Sequence, residues 1–447
     1  MKKKSSGLIF LIIFILINLF LPKYTLAENI ITNELKIQEK TENTEVKIEQ
    51  KEDIFSDITA PNLLLAEADT GKIIYEKDAD ERIYPASITK LMTAILVVEN
   101  CKLDETVTVS ENAVMSVPSG YVNANLQIGE ELTVEDLLYV MLIPSANDAA
   151  NALAEHVGGT IESFATMMNT RAKELGCTAS NFTNPSGLHE EEHYTTCKDI
   201  YLISKEAISK EYIKKIVGTT KHTLPETNKY VGTSRIFTTT NYMKLKSLSK
   251  YYYDYCIGGK TGYTGEAKNC VVEFAKKDGI ELVAIVMGES AKVKGKKFLD
   301  AKEMFEYVFK NYESKQTAEK NEKYETIKIN NGTKETKMLD VLYKDSVSVL
   351  KKKDDNTEIE KDIEYSNLRA PIQKGDIVGR ITYNFEGREY TTDLIAGGNV
   401  EESKILENIL KLLTVALFIY IIYSLKKSKK NYGNHGKKYK KRKKKRF

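Results

Sequence analysis

Two almost wholly apolar segments lie near the two ends of the chain. The first, Leu8 to Leu21, follows the basic start Met1 to Lys4 and is shorter than the about 20 residues that a membrane span requires. This arrangement predicts a secretory signal peptide over residues 1–27. The second covers residues 405–425 and is apolar on every side from Leu412 onward. It predicts a transmembrane or membrane-anchoring helix, and its amphipathic first part leaves open whether the helix spans the bilayer or lies on it.

Between these segments, hydrophobic periodicity predicts an α/β mixed fold. Strands are expected at Leu63 to Ala68 and Lys72 to Glu76, before a middle part with helical periodicity. The predicted helices begin at Ser87 and continue at Val134 to Ile143, Ala146 to Val157, Ile161 to Leu175 and Lys198 to Ala207. Later strands are predicted near Lys268 to Ala275 and Leu282 to Met287. Strands that flank a helical middle indicate a mixed sheet with helices packed on it.

The pattern changes after a predicted helix at Phe298 to Phe309. A linker rich in lysine and glutamate is predicted at 314–321, and a small all-β domain over 322–397. Its predicted strands include Thr326 to Ile329, Ser346 to Leu350, Ile377 to Tyr383 and Glu389 to Thr392. We interpret this domain, which carries no evident chemistry, as a spacer between the rest of the chain and the membrane helix.

The formal net charge of +3 conceals an uneven distribution of charge. Of the 66 Lys and Arg, 13 lie in residues 426–447 and four in residues 1–27, and neither segment holds an acid. Residues 28–425 therefore hold the remaining 49 basic residues and all 63 acidic ones. Eight of the acidic residues fall in a predicted acidic polar stalk over 28–55. A net-acidic body argues against nucleic-acid binding, which needs a cationic face. By the positive-inside rule, the polybasic tail is expected on the cytoplasmic side of the membrane helix.

The cysteines and histidines indicate no metal site. The five cysteines contain no Cys-x-x-Cys pair, so neither a zinc knuckle nor a disulfide framework is predicted. We interpret them as small buried hydrophobic residues, with one bridge through Cys101 or Cys177 left open. The five histidines form no pair at ligand spacing, and the sequence predicts no metal and no cofactor.

One candidate for nucleophilic chemistry is the segment Ser87-Ile88-Thr89-Lys90. It places a hydroxyl and an amine one helical turn apart, and the lysine can act as a base if burial and nearby positive charge lower its pKa. The same spacing recurs at Ser247, Ser348 and Ser424, so it is weak evidence alone. Ser87 differs from these because it opens an apolar helix, where free backbone N–H groups gather.

Two further motifs follow in order along the chain. Ser145-Ala146-Asn147 begins 58 residues after Ser87, and Lys260-Thr261-Gly262 begins another 115 residues on. Alone, Ser145 would be interpreted as a helix N-cap, and the glycine-rich segment around Lys260 as a turn entering a strand. All three motifs in this order are improbable by accident.

The set Ser-x-x-Lys, Ser-x-Asn and Lys-Thr-Gly is the signature of penicillin-recognising serine enzymes. From about Ala60 to Tyr312 the chain resembles the D-alanyl-D-alanine carboxypeptidase family, the low-molecular-mass penicillin-binding proteins. The resemblance is close at Ala66 to Gly71, Pro85 to Ala94, Asn184 to Leu188, His193 to Thr196 and Lys260 to Thr264. It implies a serine DD-carboxypeptidase domain over 56–313 with a penicillin-binding/β-lactamase-like fold. That fold joins an antiparallel sheet to a helical subdomain, and a small all-β domain and a C-terminal membrane helix follow it.

The resemblance also implies roles for the first two motifs. Ser87 would attack the carbonyl between the two terminal D-alanines while Lys90 takes its proton. Ser145 would relay a proton toward the leaving D-alanine, and Asn147 would orient Lys90 and the substrate amide.

For substrate binding, the resemblance implies that Lys260 and Thr261 hold the terminal carboxylate, in the strand that Gly262 and Tyr263 continue. The backbone N–H groups of Tyr263 and of the nucleophile would form the oxyanion hole. Lys296 falls where some relatives carry an arginine for the same carboxylate, although lysine lacks the planar fork of arginine.

The implied partners are peptidoglycan stem peptides ending in D-Ala-D-Ala, β-lactam antibiotics and the lipid bilayer. The catalytic domain is expected at the cell membrane, on its extracytoplasmic face next to the wall. A β-lactamase is disfavoured, because Ala146 replaces the Asp of class A enzymes and no Glu-x-x-Leu-Asn lies between the later motifs. A DD-endopeptidase acting on peptide crosslinks and a non-catalytic membrane-anchored scaffold remain as alternatives.

Overall fold

The computed structural model of the protein describes residues 54–443 except 291, 293 and 367, with side chains described to residue 427 except that of 406. The predicted signal peptide over 1–27, nearly all of the predicted stalk over 28–55 and residues 444–447 of the basic tail therefore lie outside the described residues.

The described residues form nine α-helices and sixteen strands. The helices are α1 (Lys90–Asn100), α2 (Glu111–Met115), α3 (Val134–Leu142), α4 (Asn147–Gly158), α5 (Ile161–Glu174), α6 (Cys197–Ser209), α7 (Glu211–Val217), α8 (Lys296–Asn311) and α9 (Ile405–Lys443). The strands are β1 (Asn62–Glu67), β2 (Ile73–Lys77), β3 (Thr106–Thr108), β4 (Glu131–Thr133), β5 (Lys221–Leu224), β6 (Arg235–Thr238), β7 (Cys256–Thr264), β8 (Lys268–Lys277), β9 (Ile280–Glu289), β10 (Tyr312–Ala318), β11 (Lys323–Lys328), β12 (Met338–Tyr343), β13 (Val347–Lys352), β14 (Glu360–Tyr365), β15 (Ile377–Phe385) and β16 (Arg388–Ala396).

A five-stranded antiparallel sheet forms the centre of the first domain, in the order β2-β1-β9-β8-β7. All six residues of β1 are buried, and nearly all of β9 is buried too. A strand buried along its length needs cover on both faces. Helices α6 and α8 both pack against β9. The last strand, β7, lies at one edge of this sheet, where one side remains free for other chain segments.

The helical subdomain is built around α1. Every residue of α1 from Lys90 to Val97 is buried, as expected for a helix that is surrounded by other helices. Helices α3, α4, α5 and α6 all contact it, and their apolar side chains join one core with those of the central sheet. The predicted helical middle packed on a sheet is therefore confirmed, but the sheet is antiparallel throughout, as the resemblance implied, and not mixed.

The second domain is all-β, as predicted. Its five strands pair in the antiparallel order β11-β12-β16-β15-β14, and its core includes Val341, Ile381 and Leu394. The predicted linker at 314–321 is largely wrong, because β10 covers residues up to Ala318 and pairs with β13. Only the two ends of β10, Tyr312 and Ala318, are buried. Because the middle of β10 is exposed to solvent, this strand accommodates the polar residues that led to the prediction of a linker.

Helix α9 follows the second domain. Its stretch Glu407–Lys427 has a mean hydropathy of 1.9 and buries none of its length against the rest of the protein. It is long and apolar enough to cross a membrane. The predicted membrane helix at 405–425 coincides with this stretch and remains a prediction, as does the position of the basic tail.

Candidate active site

Ser87 lies in a single 3₁₀ turn, Ala86–Thr89, that leads directly into α1. Ala86 has a φ of 46°, which is unusual for a residue with a Cβ. This strained entry presents the half-buried Ser87 hydroxyl beside Lys90, the first residue of α1. The Lys90 Nζ lies 3.0 Å from Ser87 Oγ, so the structure brings together the pair expected from their spacing.

Three oxygen atoms surround the fully buried Lys90 amine. Besides Ser87 Oγ, these are Asn147 Oδ1 and the backbone carbonyl of Ser186, each 2.6 Å away. Burial lowers the pKa of Lys90 well below its ordinary value, and the charge of Lys260 lowers it further, while Asp148 opposes both. A neutral amine held at this distance can accept the hydroxyl proton of Ser87.

Ser145 is not the N-cap that its sequence suggested. Helix α4 begins at Asn147, with Ala146 at the cap position and no side-chain capping bond. Ser145 has a φ of 74°, a left-handed conformation that is costly for a serine and is typical of functional sites. Its buried hydroxyl accepts a hydrogen bond of 2.8 Å from Lys260 Nζ.

The third motif lies inside the edge strand β7 instead of in a turn before it. Lys260 is almost completely buried, and its Nζ also donates to the Thr261 carbonyl at 2.8 Å. Burial, helped by the charge of Lys297, lowers the pKa of Lys260 to about 7. The hydroxyl oxygen of Thr261 lies 2.6 Å from that of Thr240, a residue that no sequence motif singled out.

Gly262 brings β7 against the turn that holds the nucleophile. A Cβ at this position would lie 3.2 Å from the Ser87 nitrogen and 3.1 Å from both Ala86 Cβ and the Pro85 carbonyl. Only a residue without a side chain permits this approach without displacement. The next residue, Tyr263, exposes 56% of its surface and covers the outer side of the site.

An open cavity of about 850 Å³ lies over this cluster. The residues that line it come from all three motifs and from the loop before α3, and they include Ser87, Tyr121, Val122, Ser145, Thr240, Thr261, Gly262, Tyr263 and Lys297. The Asp148 carboxylate fixes that loop by accepting the N–H groups of Ala124 and Leu126. Apart from Lys296, the predicted catalytic and substrate-binding residues either line this groove or, like Lys90, Asn147 and Lys260, form a hydrogen bond to a residue that lines it.

The structure brings Lys297 to this groove, whereas Lys296 forms an ion pair 2.6 Å from Asp300 on its own helix. The buried Lys297 ammonium donates to the carbonyls of Cys270 at 3.1 Å and Gly262 at 3.4 Å. The expected position of Lys296 at the substrate groove is therefore corrected, because its neighbour Lys297 is the lysine that lines the groove. Helical periodicity could have indicated Lys297 from the sequence, because Lys297 and Ala301 lie on the same buried face of α8.

A second feature that the sequence motifs missed is the turn at Asn184 to Gly187, which supplies the Ser186 carbonyl. The Asn184 side chain accepts the N–H group of Gly187 at 2.8 Å and fixes the turn. Nearby, the His193 ring lies 2.8 Å from Thr89 Oγ1, and burial lowers its pKa to about 3. His193 is therefore neutral near pH 7, and its contact with Thr89 is structural.

All five cysteines lie in the described part of the chain and are free thiols. The bridge left open for Cys101 or Cys177 is not formed. Burial raises the pKa of Cys177 to about 12 and that of Cys270 to about 11, so both are protonated near neutral pH.

Comparisons with known proteins find two matching family profiles and several similar chains. A family profile described as D-alanyl-D-alanine carboxypeptidase matches residues 45–291, and one described as penicillin-binding protein 5, C-terminal domain, matches residues 312–402. D-alanyl-D-alanine carboxypeptidase DacF of Bacillus subtilis is 35% identical over 335 residues, which cover 73% of this chain and 82% of DacF.

A second curated relative, D-alanyl-D-alanine carboxypeptidase DacA of Haemophilus influenzae, is 28% identical over 353 residues, 77% of this chain and 84% of DacA. Among solved structures, penicillin binding protein 5 from Haemophilus influenzae matches with a TM-score of 0.62 and 25% identity. That match covers 77% of this chain and 98% of the other.

Proposed function

Because the chain belongs to the D-alanyl-D-alanine carboxypeptidase family of serine peptidases, we propose a division of the reaction among its own residues. The protein is a serine-type carboxypeptidase that removes the terminal D-alanine from peptides ending in D-Ala-D-Ala. The observation that carries the proposed mechanism is the buried Lys90 amine, 3.0 Å from Ser87 Oγ and with a lowered pKa.

In the acylation step, neutral Lys90 takes the proton of Ser87 as Oγ attacks the penultimate D-alanine carbonyl. Asn147 and the Ser186 carbonyl hold the amine in place, since both acceptors lie 2.6 Å from Nζ. The resulting ammonium is stabilised by these two hydrogen bonds and by the Asp148 carboxylate.

The oxyanion of the tetrahedral intermediate is bound by the backbone N–H groups of Ser87 and Tyr263. A Cβ on Gly262 would lie 3.2 Å from the Ser87 nitrogen, so β7 passes close to the nucleophile turn. This close approach supports the assignment. Donors that are fixed before the reaction stabilise the developing charge without reorganisation.

The terminal carboxylate of the substrate is bound by the hydroxyls of Thr261 and Thr240 and by the positive charge of Lys260 and Lys297. Both hydroxyls and Lys297 line the groove. Ser145, which accepts a hydrogen bond from Lys260 Nζ, relays the proton that Lys90 took from Ser87 to the nitrogen of the leaving D-alanine, so that the Lys90 amine is neutral again. Attack of water on the Ser87 ester, with Lys90 again as the base, completes hydrolysis.

β-Lactams acylate the same serine, because their fused amide and carboxylate reproduce the D-Ala-D-Ala terminus. The catalytic domain is held on the extracytoplasmic face by α9, with the second domain as a spacer. The support for this location is the apolar stretch Glu407–Lys427 and the 13 basic residues of 426–447.

Product analysis separates the carboxypeptidase from the endopeptidase. The full-length protein in detergent is given a pentapeptide stem ending in D-Ala-D-Ala or a purified crosslinked dimer. We expect free D-alanine to be released from the pentapeptide and the crosslinked dimer to remain intact. Cleavage of the dimer without release of D-alanine would favour the endopeptidase, and turnover of neither by a folded protein would favour the scaffold.

A further inference from the structure

Away from the active site, a thiol, a carboxylate and an imidazole meet at the far ends of two catalytic helices. Cys101 directly follows α1, Glu105 lies in the connection to β3, and His156 lies in the last turn of α4. The Cys101 sulfur, a Glu105 carboxylate oxygen and a His156 ring nitrogen all lie within 4.8 Å of one another. Cys101 and Glu105 lie four residues apart in one connection and His156 comes from a separate helix, so the fold brings the imidazole to the other two groups.

The separations fit a tetrahedral cation. Bond lengths of about 2.0 to 2.2 Å to nitrogen and oxygen place two such ligands about 3.3 to 3.6 Å apart at a tetrahedral centre. His156 Nε2 and Glu105 Oε2 are already 3.1 Å apart. A sulfur ligand at about 2.3 Å from the metal lies about 3.6 Å from each of the others, so a thiol within 4.8 Å needs to move by about 1 Å.

The carboxylate is also held in position by its second oxygen. Glu105 Oε1 accepts the backbone N–H of Lys102 at 2.9 Å, which leaves Oε2 directed at His156. Metal ligands are commonly oriented by such a second hydrogen bond. Cys101 is half-buried, and the side chains of His156 and Glu105 are 27% and 40% exposed, so an ion can enter from solvent.

We propose that Cys101, Glu105 and His156 form a binding site for a zinc-class divalent cation that joins the C-terminal ends of α1 and α4. A thiolate, an imidazole and a carboxylate are the ligands of borderline-soft cations such as Zn²⁺, whereas Ca²⁺ and Mg²⁺ take oxygen ligands. The thiol proton is released to solvent when the sulfur binds, and water completes the fourth position.

The role of such a site is structural. Cys101 follows the 11 residues of α1, so the site lies about 16 Å along the helix axis from Lys90. At their other ends α1 and α4 carry Lys90 and Asn147, whose side chains meet 2.6 Å apart. A cation would therefore fix the far ends of the two helices that together position the general base, without contact with substrate.

The test uses full-length protein in detergent, stripped with a chelator and then titrated with Co²⁺ alone. We expect one equivalent to bind with a thiolate-to-cobalt charge-transfer band in the near ultraviolet, and Zn²⁺ to displace it. Cys101→Ser should abolish the band, and His156→Gln should weaken binding about ten-fold or more. Zn²⁺ at about 100 times its dissociation constant should raise the melting temperature of the parent by about 5 °C or more.

The matched control is His222→Gln. His222 forms the other histidine–carboxylate pair of this type, 3.2 Å from Asp136, and belongs to no three-ligand group among the described residues. The His222→Gln variant should bind Co²⁺ as the parent does. Absence of the band in the parent, or its survival in a Cys101→Ser variant that melts normally in chelator, would overturn the proposal. D-alanine release is measured separately, so failure here leaves the proposed peptidase mechanism unaffected.

Discussion

The most informative steric perturbation is a single methyl group at Gly262. In Gly262→Ala the new Cβ would lie 3.1 Å from Ala86 Cβ and from the Pro85 carbonyl, and 3.2 Å from the Ser87 nitrogen. Carbon contacts are ordinarily at about 3.5 to 4.0 Å, so β7 has to retreat from the nucleophile turn by roughly 0.5 Å. The retreat moves the Tyr263 N–H away from the position of the oxyanion.

The magnitude follows from the value of one oxyanion donor. Loss of such a donor costs about 2.7 to 4 kcal/mol, or a factor of about 10² to 10³ in rate. A displacement of roughly 0.5 Å weakens the Tyr263 donor without removing it, so we expect acylation to slow by about 10-fold to 100-fold. The melting temperature should change little, because overpacking at the edge strand is relieved by the same small movement.

The assay is the second-order rate of acylation by a fluorescent penicillin, with D-alanine release from a pentapeptide as a parallel readout. The control is Gly265→Ala, since no heavy atom lies within 4 Å of a Cβ at that glycine. It should alter the rate by less than about two-fold. Acylation of Gly262→Ala within two-fold of the parent, or equally slow acylation of Gly265→Ala, would refute this role of Gly262.

Three further predictions concern ionisation and packing. The acylation rate should depend on pH as a bell, rising as Lys90 becomes neutral and falling as Lys260, with a pKa lowered to about 7, loses its charge. Because arginine keeps its charge, Lys260→Arg should move only the falling limb to higher pH. Gly187→Ala should destabilise the protein by several kcal/mol in thermal unfolding, because φ is +82° and a Cβ would lie 1.9 Å from a backbone oxygen. Burial raises the pKa of Glu273 from 4.5 to about 8, so the folded state holds a proton that the unfolded state has lost between these values. Stability should therefore fall as pH rises from about 4.5 to about 8, and Glu273→Gln should flatten this dependence in chemical denaturation.

Each of these has a distinct contradictory outcome. An unchanged falling limb in Lys260→Arg would exclude Lys260 as the cation that titrates. For Gly187, the control is Gly159→Ala, where φ is also positive at +75° but no atom lies within 4 Å. It should cost only about 1 kcal/mol, and equal losses at both glycines would show that backbone conformation alone accounts for the effect. For Glu273, the same pH dependence in Glu273→Gln would assign the proton to another group.

The fold was predictable wherever one periodicity extended over a whole element. The continuous apolar run of β1, which is buried on both faces, and the helical spacing of α5, which buries one face, are examples, because burial imposes such patterns on the sequence. Strand β10 was not predictable in this way, since most of its side chains face solvent. Its pairing with β13 is made by backbone groups, which leave no mark on the sequence.

The features of the candidate site also differ in whether a side-chain pattern in the sequence marks them. Ser87 and Lys90 were identified because their spacing places a hydroxyl and an amine on one side of a helix, and Asn147 was identified through the motif set and the family resemblance that it carries. The positive φ of Ser145 and the Ser186 carbonyl beside Lys90 depend on backbone geometry, and no side-chain pattern predicts either of them.

The central claim is that Ser87 forms the acyl-enzyme with Lys90 as its base. The most direct measurement is peptide mapping by mass spectrometry of the full-length protein after reaction with a fluorescent penicillin. The account predicts one equivalent of label on the peptide that contains Ser87, and no label on Ser87→Ala. Label on another residue, or equal labelling of a folded Ser87→Ala protein, would contradict it.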